Sequence, residues 1–92
     1  PSIISAGLYA DTNLPQNALI VAPYNGDTAF LYQTNRSGWP IEIYDFARLK
    51  TEHPQNPLYL ISVNYDKYTN DLIQKFPTIF KNNEYIILNL ND

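Results

Sequence analysis

The residues best suited to chemistry in the first half of the chain follow a short apolar run. Residues 18–22 are continuously apolar, and Asn25, Gly26 and Asp27 come soon after them. Glycine permits backbone angles that other residues rarely adopt, and the Asp27 carboxylate can accept hydrogen bonds from the first N–H groups of a helix. Such N–H groups attract anions, but Asp27 would repel one and suits a sugar hydroxyl better. Asn25, Gly26 and Asp27 are therefore candidate binding residues, with a capped turn as the structural alternative.

A second candidate pair, Arg36 and Trp39, surrounds the glycine at position 38. A guanidinium group can hold an anionic headgroup or pair with a carboxylate, and an indole face can stack on a sugar ring. Alternatively, Arg36 pairs with Asp27 or covers the end of a helix, while Trp39 fills the core beside Ile41. Both interpretations are open at the level of sequence.

The remaining reactive side chains do not form a known catalytic pattern. A catalytic triad needs a histidine between a nucleophile and a carboxylate, but His53 stands before a proline and no Gly-x-Ser-x-Gly motif accompanies it. The three glycines match neither the dinucleotide fingerprint nor a phosphate-binding loop. With no cysteine and one histidine, the sequence predicts no catalytic residue, no metal site and no cofactor. A small hydrolase or transferase site around Asp27 is a minor alternative, so whether the isolated chain is an enzyme stays open.

Composition places the chain among small globular domains. It has 92 residues, of which 45% are apolar and 16% charged, and its formal net charge is −3. This length predicts a single domain over residues 1–92, which we expect to be monomeric. The six basic residues are spread thinly, which argues against nucleic acid as a partner. No apolar run approaches the length of a membrane span, so the chain as given is expected to be soluble.

Apolar periodicity and turn residues predict alternating helices and strands. Residues 18–22 are predicted to be the central strand, and residues 58–63 a neighbouring interior strand. Residues 39–44 are predicted to form a half-buried strand. Because Pro40 lacks an N–H group, it indicates either an edge strand or the start of a strand. Two further β-rich runs, 78–81 and 84–90, form a hairpin. The predicted helices cover residues 2–12, the segment from Thr28 to about residue 34, 46–52 and 67–76.

This alternation predicts an α/β fold. Strands joined by helices favour right-handed crossovers and a mainly parallel sheet. The expected architecture is a three-layer α/β/α sandwich of Rossmann-like character, with an antiparallel C-terminal hairpin at one edge of the sheet. The Asn25-Gly26 pair could instead close a tight hairpin, because Asn-Gly is a strong hairpin signal.

Three groups of motifs resemble one family. The motifs lie in the first predicted helix, around the two groups of candidate binding residues, and in two of the later predicted strands. They are Ala6-Gly7-Leu8-Tyr9-Ala10-Asp11, Tyr24-Asn25-Gly26-Asp27, Phe30-Leu31-Tyr32, Asn35-Arg36-Ser37-Gly38-Trp39-Pro40, Tyr59-Leu60-Ile61-Ser62 and Asn83-Glu84-Tyr85-Ile86-Ile87. Together they are similar to the C-terminal soluble region of bacterial polytopic glycosyltransferases related to the dolichyl-phosphate-mannose protein mannosyltransferases, glycosyltransferase family 39.

The resemblance implies a fragment on the extracytoplasmic (periplasmic) face of the cytoplasmic membrane. The parent would transfer a sugar from a polyprenyl-phosphate carrier, and helix 2–12 would lead out of its last membrane span. The implied partners are the membrane-embedded part of the parent and a glycan or protein acceptor. The family's catalytic acid lies in the membrane part, so no catalytic residue can be assigned to this chain. The alternative function is a free-standing carbohydrate- or protein-binding module that uses Trp39 and some of the eight tyrosines.

Overall fold

The computed structural model of the chain describes residues 2–91, so Pro1 and Asp92 of the predicted 1–92 domain lie outside the described residues. Within that range the fold is mixed α/β. The helices are α1 (Ser2–Asn13), α2 (Ala29–Gln33), α3 (Phe46–Glu52) and α4 (Lys67–Ile73). The strands are β1 (Leu19–Val21), β2 (Ser37–Trp39), β3 (Leu58–Ser62), β4 (Thr78–Lys81) and β5 (Ile86–Asn89).

The strands form one mixed sheet in the order β2-β1-β3-β5-β4. The β1–β2 and β1–β3 pairs are parallel, whereas β3–β5 and β4–β5 are antiparallel. The expected neighbourhood of runs 18–22 and 58–63 is confirmed, and so is the antiparallel C-terminal hairpin at one edge. A mainly parallel sheet is not confirmed, because only two pairings are parallel. The strand at the centre is β3 rather than the predicted run 18–22.

The predicted strand over 39–44 is wrong, because the ladder ends at Trp39 where the prediction began it. The Pro40 carbonyl accepts hydrogen bonds from the N–H groups of Tyr24 and Gly26, so it joins the turn after β1 instead of extending the ladder. Pro40 itself has no N–H to donate. The chain then leaves the sheet, and Ile41, which was expected to face the core, is 49% exposed.

Side chains alternate between two hydrophobic clusters along the inner strands. Ile20 and Ile87 belong to the cluster that also contains residues of α1 and α2. The neighbouring Val21 and Leu88 belong to a second cluster, which contains residues of α3 and α4. Because successive side chains of a strand point to opposite faces, the two clusters lie on opposite faces of the sheet.

The close approach of α1 to α2 depends on Gly7. A Cβ atom at position 7 would lie 2.5 Å from the Gln33 backbone, so a larger residue would push the two helices apart. Glycine in a helix interior is destabilising by roughly 1 kcal/mol relative to alanine, unless a contact of this kind requires it. Helix α1 is therefore packed against the body of the domain.

Candidate functional site

The loops after the three parallel strands β1, β2 and β3 meet where these strands end, and they enclose a cleft. Because β1 is parallel to both β2 and β3, the carboxyl ends of the three strands lie on the same side of the sheet. The chain leaving β1 enters α2, which packs on one face of the sheet, and the chain leaving β3 enters α4, which packs on the other. In open α/β sheets, a crevice forms where neighbouring connections diverge in this way, and ligands bind there. We name this crevice the switch-point cleft.

The switch-point cleft is a cavity of about 320 Å³, near the lower end of the usual range of ligand pockets. Its polar lining comes from all three loops and from α4, as Asn25, Gly26, Glu42, Ser62, Asn64, Asp66, Tyr68 and Thr69. A second cavity of about 400 Å³, the tyrosine pocket, shares Glu42, Asp66 and Tyr68 with it and adds Tyr44, Lys67, Asp71, Leu72 and Lys75. Polar groups from distant parts of the sequence thus converge on one groove.

The wall after β1 is a tight turn over Tyr24–Asp27. Asn25 and Gly26 both have positive φ, at 55° and 78°, and the Asp27 N–H donates to the Tyr24 carbonyl at 3.0 Å. Positive φ at both central residues is the requirement of a type I′ turn, so the Asn25-Gly26 pair does form the tight turn that it favours. The turn leads into α2 rather than into a hairpin. The Asp27 carboxylate accepts a hydrogen bond from the Ala29 N–H at 2.8 Å, which confirms the expected capping of the helix start.

Hydrogen bonds tie the loops to one another. The Pro40 carbonyl joins the β1 turn to the segment after β2, through the N–H groups of Tyr24 and Gly26. The buried Tyr68 hydroxyl donates to the Ile43 carbonyl at 2.6 Å and accepts from the Ile43 N–H at 3.0 Å, which joins that segment to α4. Burial raises the pKa of Tyr68 to about 12, so its hydroxyl stays protonated at neutral pH. The cleft walls are therefore fixed before any ligand arrives.

Some polar groups of the cleft are already paired within the protein. Ser62 Oγ lies 2.7 Å from Thr69 Oγ1 and donates to the Asn64 carbonyl at 2.8 Å. One Asp66 carboxylate oxygen accepts from the Thr69 N–H, which caps α4. These groups form the floor of the cleft and stabilise it.

Other polar groups of the cleft keep hydrogen-bonding capacity for a ligand. Within residues 2–91, the side-chain amides of Asn25 and Asn64 make no hydrogen bond. Glu42 Oε1 accepts a hydrogen bond from the exposed Tyr44 hydroxyl at 3.3 Å. Partial desolvation and the neighbouring Glu42 carboxylate raise the pKa of Tyr44. The rim of the cleft therefore presents amides and carboxylates that a ligand can contact.

Arg36 lies at the other end of the sheet, because it precedes β2 whereas Asn25, Gly26 and Asp27 follow β1. Its side chain is 1% exposed and forms an ion pair with Asp11, with 2.6 Å between Nη1 and Oδ1. The hydrogen bond from Arg36 lowers the pKa of Asp11. The guanidinium also donates to the carbonyls of Asp11, Leu14 and Pro15, at the end of α1. The expectation that Arg36 covers a helix end is confirmed, whereas its pairing with Asp27 is wrong.

Trp39 ends β2 and packs, partly buried, against the cluster of α3 and α4. Its ring meets the His53 ring edge-on, with 5.6 Å between centroids. Trp39 therefore packs against the core while staying partly exposed, and Ile41 is not beside it in the core. The structure thus keeps Asn25 and Gly26 in the cleft wall, Asp27 at the start of α2, and Arg36 and Trp39 in other contacts.

The cleft includes residues that the sequence did not assign to a site. Glu42, Asn64 and Asp66 line it, and none of them belongs to a catalytic or binding motif of the sequence. Asn64 and Asp66 follow the predicted strand 58–63, and the carboxyl ends of parallel strands meet. Glu42 lies inside the predicted strand 39–44 and follows a strand only in the structure, where β2 ends at Trp39. Among residues 2–91, no group of three or more His, Asp or Glu side chains is arranged to hold a metal ion.

Comparisons of the chain with protein-family models, with curated proteins and with solved structures found no match. Among the helices of residues 2–91, none is both long and apolar enough to cross a membrane.

Proposed function

We propose that the chain is a non-catalytic extracytoplasmic domain of a membrane glycosyltransferase that transfers a sugar from a polyprenyl-phosphate carrier. In this proposal the domain stabilises the membrane-embedded part of its parent and contacts the acceptor through the switch-point cleft. It acts as a monomer on the periplasmic side of the membrane. The proposal rests on the motifs that resemble the C-terminal region of family 39 glycosyltransferases and on the contacts between those motifs.

The observation that carries the proposal is the ion pair between Asp11 and Arg36. Asp11 closes the Ala6–Asp11 motif of α1, and Arg36 belongs to the Asn35–Pro40 motif. Asp11 and Arg36 are 25 residues apart in sequence, yet the Arg36 guanidinium bonds to both the side chain and the backbone carbonyl of Asp11. Helix α1 is consequently part of the folded domain rather than a linker. A membrane span leading into α1 would hold the cleft in a fixed orientation toward the parent.

The chemistry of the cleft supports contact rather than catalysis. Its rim offers the amides of Asn25 and Asn64 and the carboxylates of Glu42 and Asp66, and Ser62 bonds to Thr69 and to the Asn64 backbone instead of to a base. His53 contacts Trp39 and does not line the cleft. A nucleophile needs an adjacent base to be activated. The described residues of the cleft supply hydrogen-bonding groups without such a pair.

The proposed domain has a three-layer α/β/α arrangement. Two hydrophobic clusters on opposite sheet faces support it, since α1 and α2 contribute to one cluster and α3 and α4 to the other. This arrangement leaves the edge with the carboxyl ends of β1 and β3 open to an acceptor.

The reading frame of the native gene tests the proposal. We expect hydrophobic spans encoded upstream of residue 1, and sugar transfer in membranes carrying the parent. Removing residues 2–91 from the parent should weaken acceptor use, seen as a higher KM for acceptor, while the catalytic acid of the membrane part remains. A native gene that encodes no hydrophobic span upstream would refute the proposal.

The second candidate is a free-standing carbohydrate- or protein-binding module. The specific observation in its favour is Tyr44, whose side chain is 76% exposed beside Glu42. The same gene separates the two candidates, because a free-standing module needs no membrane span.

A further inference from the structure

The switch-point cleft has the charge pattern of a site for an uncharged ligand. Among the described residues that line it, Glu42 and Asp66 carry charge, and both are carboxylates. The adjoining tyrosine pocket has two cations among its described residues, Lys67, which pairs with Asp71 at 2.8 Å, and Lys75, and neither of them lines the cleft. A phosphate or carboxylate ligand would meet repulsion at short range in the cleft. A ligand that carries hydroxyl groups can donate to both carboxylates without that penalty.

The hydrogen-bonding groups at the rim of the cleft match a ligand with several neighbouring hydroxyls. The Asn25 and Asn64 amides each offer two N–H donors and a carbonyl acceptor, and both side chains are exposed at the cleft. Glu42 and Asp66 offer acceptors only. A hydroxyl group both donates and accepts, so a row of hydroxyls can satisfy amides and carboxylates together. A simple amine would satisfy the carboxylates and leave the amide donors without a partner.

Tyr44 adds an apolar surface in the adjoining tyrosine pocket, which shares Glu42, Asp66 and Tyr68 with the cleft. Its ring lies edge-on to the Tyr68 ring, with 5.3 Å between centroids and 84° between planes. Tyr68 is itself fixed by its two hydrogen bonds to Ile43. Because Tyr44 is supported from one side and 76% exposed, its free surface can pack against the apolar face of a sugar ring.

From this combination we infer that the switch-point cleft binds a neutral saccharide. The hydroxyl groups of the sugar contact Asn25, Asn64, Glu42 and Asp66, and the ring packs against Tyr44. The hydrogen bonds that join the loops hold these groups in place without the ligand, which lowers the entropy lost on binding. The inference rests on the proposed function in taking the cleft as the surface that contacts the acceptor.

The test is an NMR titration of the 92-residue chain labelled with ¹⁵N. The probes are the methyl glycosides of glucose, galactose and mannose, with glucose 6-phosphate as the anionic probe and ethanolamine as the cationic one. At least one neutral glycoside should shift the backbone amides of Gly26 and Asn64 in a saturable manner. Absence of saturable shifts with all three glycosides at about 50 mM, a concentration that covers millimolar affinities, would overturn the inference. Stronger binding of glucose 6-phosphate or of ethanolamine than of every glycoside would overturn it as well.

Three variants locate the site. Asn64→Ala should weaken glycoside binding about tenfold, the effect of one unmade hydrogen bond. Asn83→Ala is the matched control, since Asn83 is also exposed but does not line the cleft, and it should leave binding unchanged. Glu42→Gln should weaken glycoside binding, because an amide oxygen accepts a weaker hydrogen bond than a carboxylate, and should strengthen glucose 6-phosphate binding, because it removes a negative charge. Equal losses in Asn64→Ala and Asn83→Ala would place the sugar elsewhere and overturn the inference.

The two proposals fail separately. Saturable glycoside binding by a chain whose gene encodes no membrane span would refute the proposed function and keep the saccharide site. A gene with upstream spans and a cleft that binds no glycoside would keep the proposed function and refute the saccharide site.

Discussion

Two polar corners of this domain, one around Arg36 and one around Asn25, contain similar residues but differ in how far their side chains are hydrogen-bonded within the protein. In the corner around Arg36, which contains Gly38, the guanidinium group is hydrogen-bonded to Asp11 and to carbonyls at the end of α1. Around Asn25 and Gly26, a second corner leaves its amide unpaired at the rim of a cleft. Buried polar groups need hydrogen-bond partners inside the protein, whereas exposed ones can bond to water or to a ligand. The comparison assigns the Arg36 corner to stability, whereas the Asn25 corner keeps its amide available for the binding that we propose.

The glycines of the two corners provide the strongest test of this division. A Cβ atom at Gly38 would lie 1.8 Å from the Ile20 carbonyl oxygen, so β1 and β2 would have to separate. We expect Gly38→Ala to lower the free energy of unfolding by about 4 kcal/mol or more. At Gly26 the nearest atom would be 3.9 Å away, so Gly26→Ala should lose only about 1–2 kcal/mol, the penalty of a left-handed backbone at alanine. Urea denaturation measures both, and equal losses would remove the contrast.

The second expected effect comes from Arg36. Arg36→Met keeps an apolar stem but leaves Asp11 and the α1 carbonyls without their donor, and should lower the free energy of unfolding by roughly 3 kcal/mol. The control is Arg48→Met, because the Arg48 side chain is 71% exposed and pairs with Glu52 on the same helix. That control should change stability by less than about 0.5 kcal/mol.

Glycoside binding by the folded fraction of Arg36→Met should be unchanged. A specific loss of binding at full folding would show that the Arg36 corner takes part in recognition, against the division drawn above.

Local signals in the sequence predicted much of the fold. The sequence predicts a helix over 46–52, and in the structure the Asp45 carboxylate accepts from the Arg48 N–H at the start of that helix. The apolar runs 18–22 and 58–63 were expected to be adjacent, and β1 pairs with β3. These features depend on a few consecutive residues, which is why sequence reasoning reaches them.

Features that depend on distant partners were not predictable in the same way. Nothing near Arg36 in the sequence indicates that Asp11, 25 residues earlier, is its partner. The end of β2 at Trp39 is set by hydrogen bonds from the β1 turn to Pro40, not by the alternation of residues 39–44. Likewise, Glu42, Asn64 and Asp66 belong to one cleft only because the topology brings the ends of three strands together.

A smaller effect is expected at the Tyr68 hydroxyl, which supports the cleft. Tyr68→Phe removes two hydrogen bonds with Ile43 and should lower the free energy of unfolding by about 1–2 kcal/mol. The folded pKa of about 12 is above the ordinary tyrosine value of 10.0. The stability linked to this group is therefore fully present below pH 10.0 and is lost as the pH rises toward 12. The advantage of the wild type over Tyr68→Phe should shrink over that interval.

Tyr32→Phe is the control for this measurement, because Tyr32 is 81% exposed and its hydroxyl makes no hydrogen bond within residues 2–91. Urea midpoints at pH 8 and above should be nearly the same for Tyr32→Phe and the wild type. If Tyr68→Phe behaved like this control, the Tyr68 hydroxyl would not be what holds the cleft wall.

The smallest effect belongs to Asp11, the partly exposed partner of the Arg36 corner. Because the hydrogen bond from Arg36 lowers the pKa of Asp11, its contribution to stability is full above the ordinary value of 3.8 and is lost as the pH falls through the lowered folded pKa. Asp11→Asn should therefore lower the urea midpoint at pH 7, and its difference from the wild type should close in acid. The carbonyls bound by Arg36 do not titrate, so the loss in Arg36→Met should persist there. A constant gap for Asp11→Asn down to about pH 3, where an ordinary carboxyl is mostly protonated, would show that the charge of Asp11 is not what Arg36 requires.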